Sequence, residues 1–342
     1  MRKYVNKQFE ERLTLFGGKL ADAAEHPQDA EAIHDLRVSI RRLTQCFKTF
    51  PEFFHAQRTK KARTRLKSLL DHCGEARNCD ISIDVLRDAG LNGHPAIEHL
   101  QAKRVEAEMA LVKLLAEWNQ DQSSKVWSKI WGKRLPRTKS AAQKHAKTEK
   151  SRWRTNKSIE SNAARVLPKL AKQLFAEGDR VSAPGVPYEE IHQFRLHGKR
   201  FRYTLELFTP VYGENLQPLL KGMKGLQDLL GVMNDCVTAR KIIPDDPAAL
   251  AAIDRLLEQR ENAFRAGWAD YDDGLRSQWI EVLRHPERKD GGSTSLGEPG
   301  ASSSGAKMEE AEEPTPEPAE RRPVASARGE SSPEKSASQA AR

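Results

Sequence analysis

Apolar side chains in the first 283 residues recur three and four positions apart, the interval at which they share one face of a helix. In the segment beginning at Ala32 the set is Ile33, Leu36, Ile40, Leu43, Phe47 and Phe50. In the segment beginning at Glu190 it is Ile191, Phe194, Phe201, Leu205 and Phe208. No stretch alternates apolar and polar residues over the length of a strand. Prolines at Pro51, Pro95, Pro136, Pro184, Pro187, Pro244 and Pro247 punctuate the pattern, which predicts helices of roughly 15 to 30 residues between them. The expected fold is all-α, with two helical bundles over about 1–120 and about 150–283 and a basic linker over 121–149. From residue 284 onward the pattern stops, and Gly, Ser, Pro and Glu dominate. A segment so poor in large apolar residues cannot offset its ordering entropy, so 284–342 is expected to be a disordered, acidic, Pro- and Ser-rich tail.

The two helical segments also match each other. "AIHDLRVSIRRL" from Ala32 and "EIHQFRLHGKRF" from Glu190 share Ile-His, an arginine three residues after the histidine, and a basic pair beyond it. His34 and His192 are 158 residues apart. A second pair, "KSLLDHCGEARNCD" from Lys67 and "KGLQDLLGVMNDCV" from Lys224, matches at an offset of 157 through Lys67/Lys224, Leu69/Leu226, Asp71/Asp228 and Gly74/Gly231. Two motifs in the same order at nearly the same separation predict duplicated halves related by a pseudo-twofold axis.

At about 100° per residue, His34, Arg37 and Arg41 fall within about 60° of arc, on a different face from the apolar set. The second copy repeats this stripe with His192, Arg195, Lys199 and Arg202. Solvated helix faces ordinarily mix charges, because like charges one turn apart cost a few tenths of a kcal/mol. These stripes place cation after cation, and both histidines stand near the start of a helix, where the macrodipole disfavours positive charge. Repulsion accepted twice implies an anion that relieves it. Successive stripe residues rise by about 4.5–6 Å, which suits a flexible polymer with closely spaced negative charges. Arginine offers such a polymer bidentate hydrogen bonds, lysine a point charge, and histidine a donor that titrates near neutrality. Lys60, Arg63 and Lys67 share one face of the next helix in the first half, and Lys221 and Lys224 do so in the second.

The formal net charge is +9, and the residues from His285 onward carry eight Lys/Arg against eleven Asp/Glu. The tail is therefore at −3 and the preceding 284 residues at +12, a basic body that attracts nucleic acid, anionic membrane surfaces or phosphate polymers. Charge alone does not choose among them.

The repeated His-x-x-Arg-φ-x-x-(Arg/Lys)-Arg pattern, φ being apolar, is followed in each half by Leu-x-x-x-x-Gly-x-x-(Arg/Asn)-(Asn/Asp). Together they resemble the CHAD family, the conserved histidine α-helical domain, over roughly residues 1–283. The resemblance implies two pseudo-symmetric helical bundles with basic surfaces around a central groove. It also implies binding of inorganic polyphosphate without its hydrolysis, and the role expected of such binding in the cytoplasm is recruitment of the protein to polyphosphate granules. The family motif maps onto His34, Arg37, Arg41 and Arg42, then onto His192, Arg195, Lys199, Arg200 and Arg202, with Lys67 and Lys224 on the neighbouring helices. Arg63 and Lys221 complete the candidate polyphosphate-binding set. The chain departs from the motif at Thr44, where the second copy has Arg202, and at Arg77–Asn78, where Arg-Asp is usual. Gly198 lies inside the second motif helix at a cost of about 1 kcal/mol relative to alanine, and close helix approach at the groove is the expected reason.

Other functions find less support in the residues. A triphosphate-processing domain of the kind fused to some family members would carry Glu-x-Glu-x-Lys, and the nearest string, "EAEMA" from Glu106, ends in Ala110. There is no phosphate-binding GxxxxGK[ST] loop, no GxSxG and no HExxH. His34 and His192 lack a second ligand at helical spacing, so neither a metal nor another cofactor is expected, and no catalysis. The alternative reading is a non-sequence-specific nucleic-acid module. Single-strand binders stack bases on exposed aromatics, and Tyr203, Trp127, Trp131 and Trp153 are the candidates outside the core-facing arcs. No run of 18 apolar residues predicts a membrane span, the charged N-terminus argues against a secretory signal, and the four cysteines read as reduced cytosolic thiols.

Overall fold

The computed structural model describes residues 1–121, 152–243 and 246–287. The expected basic linker and nearly all of the expected tail lie outside the described residues, as do Trp127 and Trp131. Residues Met1–Asp290 form one compact unit, and its described part is helical, with no strand among the described residues. The helices are α1 (Arg2–Glu25), α2 (Ala30–Thr49), α3 (Ala56–Asp88), α4 (Ala96–Asp121), α5 (Ile159–Val181), α6 (Tyr188–Glu206), α7 (Gln217–Ile242), α8 (Pro247–Ala269) and α9 (Asp273–Arg284). A single helical turn, Thr209–Tyr212, links α6 toward α7. At 33 residues α3 is longer than the sequence predicts, because no proline or glycine pair interrupts it.

Local chemistry sets the helix starts. Asp29 accepts a hydrogen bond from the Glu31 N–H at α2, and Ser158 accepts one from Ser161 at α5. Asp246 accepts from Ala248 and Ala249 at α8, and Asp272 from Leu275 at α9. Each satisfies backbone donors that the first turn leaves without a partner. Arg284, where the tail is expected to begin, closes α9, and Glu287 donates its N–H to Val211 O at 3.0 Å.

In the first half α1 packs on α2, α2 on α3, α3 on α4, and α4 returns to α1. In the second, α5 packs on α6, α6 on α7 and α7 on α8, while α9 covers α5. The halves join through α2 with α6 and through α3 with both α7 and α8. They share one hydrophobic core: Leu36, Ile40, Leu43, Phe47 and Phe50 from α2 and its end belong to the same buried cluster as Ile191, Phe194, Phe201, Leu205 and Phe208. Trp153 is buried in this core, with its ring 5.3 Å from Phe50 and 5.2 Å from Phe208. A smaller cluster around Leu86, Leu100, Cys236 and Ile253 closes the junction of α3, α4, α7 and α8.

Two helical glycines allow α8 and α9 to approach. A Cβ at Gly178 of α5 would stand 2.1 Å from the Trp268 ring, and one at Gly222 of α7 would stand 2.3 Å from the Trp279 ring. Gly178→Ala is expected to destabilise the protein by about 1–3 kcal/mol through overpacking, despite alanine's better helix propensity. Urea denaturation measures it, and a variant as stable as the parent would show that the Trp268 contact yields without strain. The close helix approach expected at Gly198 is not found. A Cβ there would meet Met223 Cε at an ordinary 3.8 Å, so no close helix approach requires the glycine.

Candidate functional site

The site forms where α2 lies on α6. A buried polar pin sets their register: Gln45 donates to Thr204 Oγ1 at 3.0 Å and to Thr49 Oγ1 at 3.1 Å. Buried polar groups need such partners, so the pin fixes one alignment of the helices. Arg42 adds an ion pair across the same contact, Nε to Glu206 Oε2 at 3.1 Å. With this register, cations of the two motif segments come near one another. Arg41 acts electrostatically on Arg37 of its own helix and on Arg195 and Lys199 of α6. Arg37 and Arg195 also both sense Tyr203.

Arg37, Arg195 and Lys199 bear the mark of burial among like charges. Arg37 lays its guanidinium over the α3 backbone and donates Nη1 to Cys73 O at 2.5 Å. Gly74 makes room for it, since a Cβ there would stand 3.2 Å from Nη1. Burial first, then Arg41 and Arg77, brings the Arg37 pKa down to about 10. At Lys199, burial followed by Arg195 and Arg41 lowers the pKa to about 7, with Asp235 pulling the other way. Arg195 is lowered by burial against the attraction of Asp235, and its Nε is buried without a hydrogen-bond partner among the described residues. Asp235 is raised by its own burial, although Arg195, Arg260 and Lys199 draw it down. Arg41 and Lys199 form no ion pair among the described residues.

The remaining expected residues are distributed around this centre. His34 is exposed on α2, one turn before Arg37. His192 lies beside Tyr188 with ring centroids 6.0 Å apart and the planes tilted, and burial, then Arg195, lowers its pKa, while a hydrogen bond with Asn234 opposes the shift. Arg63 of α3 and Arg200 of α6 are exposed and both act on Lys48 of α2, so three helices contribute to a second basic group. Lys221 is exposed and Lys224 half-buried on α7. Three expected ligands already have acidic partners. Arg42 and Arg202 share Glu206, the latter at 3.6 Å, and Lys67 pairs with Asp71 one turn on. Arg202 also lies over the Tyr203 ring, 5.0 Å from its centroid.

Tyr203 and Trp153, expected as exposed aromatics, are both buried. Tyr203 acts electrostatically on Arg37 of α2, and Trp153 donates its indole N–H to Thr49 O at 2.5 Å. Sequence reasoning missed Lys48, Asp235 and Glu206, and named Arg77 only as part of a departure from the motif. Lys48 was within reach, because it follows Arg41 by seven residues on the same stripe. Among the described residues no three His, Cys, Asp or Glu side chains gather as metal ligands, and no helix is long and apolar enough to cross a membrane.

The arrangement defines an all-helical domain whose two histidine-bearing helices set cations against each other. A CHAD domain family model matches residues 13–244, and the chain belongs to that family. Two solved structures are similar to it. The crystal structure of the CHAD domain from the plant Ricinus communis has 19% identity and a TM-score of 0.49, over 84% of this chain and 93% of that one. PptA from Streptomyces chartreusis has 15% identity and a TM-score of 0.44, over 83% of this chain and 99% of that one. Among curated proteins none matches.

Proposed function

We propose that the chain binds inorganic polyphosphate along the α2–α6 contact, without catalysis, and that this holds the protein at polyphosphate granules. The observation that carries the reading is the convergence of Arg37, Arg41, Arg195 and Lys199, with neither Arg41 nor Lys199 in an ion pair among the described residues. Cations kept together at partial burial are mutually destabilising unless an anion supplies the missing interaction. A phosphate chain supplies it at several points, with bidentate acceptors for the guanidinium groups. Lys48, Arg63 and Arg200 extend the positive surface, whereas Arg42, Arg202 and Lys67, with carboxylate partners, act mainly by holding the helices or by adding long-range field. Family membership supports the same ligand.

Nucleic acid shares the backbone chemistry but asks for more. A single strand is held by stacking as well as by charge, and the two described aromatics considered for stacking, Tyr203 and Trp153, are buried. Titrating the full chain with labelled long-chain polyphosphate and with single-stranded RNA, in matched salt, separates the two ligands. Polyphosphate is expected to bind at least about tenfold more tightly, a difference of about 1.4 kcal/mol. Equal or tighter binding of RNA would overturn the assignment.

A further inference from the structure

Lys199 is half-buried where α6 meets α2, in a setting dominated by positive charge. Arg195 and Arg202 act on it from its own helix and Arg41 acts from α2. His192 lies farther back on α6 and also senses Lys241 of α7. Asp235 of α7 attracts the Lys199 ammonium, but the same carboxylate also faces Arg195 and Arg260. On α5, the other helix packed on α6, Glu177 is engaged with His197. The Lys199 amine has neither a hydrogen bond nor an ion pair among the described residues. Its pKa of about 7 follows from that setting, with burial the largest cause.

We propose that a polyanion occupying this cluster draws a proton onto Lys199, so that affinity falls as the solution becomes more alkaline. The inference rests on the polyphosphate reading of the site and adds a regulation to it. The sign follows from linkage. A phosphate beside the amine favours its charged form, so the complex holds more protons than the separate partners, and raising the pH opposes binding. One proton weakens binding by up to about tenfold per pH unit above the free amine's midpoint. An arginine at this position would not behave so, because a guanidinium keeps its charge throughout this range.

Calorimetric titration of the full chain with long-chain polyphosphate at about pH 8, in buffers of different ionisation heat, counts the protons taken up. The parent is expected to take up most of one proton more per binding event than Lys199→Arg. Between about pH 7 and about pH 9 the parent's affinity is expected to fall by tens of fold, and that of the arginine variant by no more than a few fold. His192 and the polymer's end groups are common to both proteins, so their titration cancels in the comparison. No proton uptake by the parent, or equal uptake by both, overturns the inference while polyphosphate binding stands. A parent chain that fails to bind polyphosphate even near pH 6.5 overturns the functional reading, and the inference with it.

Discussion

Glutamate in place of Arg37, Arg41, Arg195 and Lys199 together is expected to weaken polyphosphate binding by at least about a thousandfold, with the helical fold retained. Hydrogen bonds to charged groups contribute roughly 1.5–3 kcal/mol each, and four reversed charges add repulsion to their loss. Most of these side chains are not cross-links of the empty protein. Arg41 and Lys199 form no ion pair among the described residues, and both lie near other cations. Arg37 differs in holding Cys73 O, so a milder variant, Arg41→Ala with Lys199→Ala, checks that lost affinity is not lost structure. Circular dichroism and thermal melting report the fold, and titration with labelled polyphosphate reports the site. Affinity retained in the fourfold variant would remove the α2–α6 contact from the binding surface.

Trp153→Ala is expected to cost about 3–5 kcal/mol, enough to remove much of a domain's margin of stability. The ring is fully buried between Phe50 and Phe208, which come from opposite halves of the fold. Its indole N–H also satisfies Thr49 O near the end of α2. Truncation therefore leaves a cavity in the shared core and a buried carbonyl without its donor. Trp153→Phe keeps most of the volume and is expected to lose about 1–3 kcal/mol, the share of the hydrogen bond. Denaturant unfolding measures both. A loss below about 1 kcal/mol for the alanine variant would mean that the halves do not depend on this aromatic seam.

Helix phase was the most legible feature. The apolar sets of α2 and α6 fix their buried faces, and almost all of those residues lie in the core, with Ile33 packed at its edge. The cationic stripes follow from the same arithmetic, whereas Lys67, read from the sequence as a ligand, pairs with Asp71 one turn on. Helix phase does not say what stands opposite a stripe. Glu206 neutralises Arg42 across 164 positions of chain, so neither residue alone announces the pair. Burial of Lys199 and the approach of Arg41 likewise depend on the α2–α6 register, which the Gln45–Thr204 hydrogen bond helps to set. The aromatic content of "RWRTN" around Trp153 looks like an exposed basic segment until Phe50 and Phe208 are brought beside it. Of the matched glycines, Gly74 accommodates Arg37, while a Cβ at Gly231 would meet nothing within 4 Å, so the structure gives no account of the second.

The salt dependence of polyphosphate affinity tests most directly whether α2 and α6 grip one polymer. For the parent, log Kd should rise steeply and linearly with log salt, and each cation removed from either helix should flatten that slope by roughly 0.7 to 1. Arg41→Ala and Lys199→Ala are each expected to do so near neutral pH. Slopes that stay at the parent's value in both variants would contradict a shared grip.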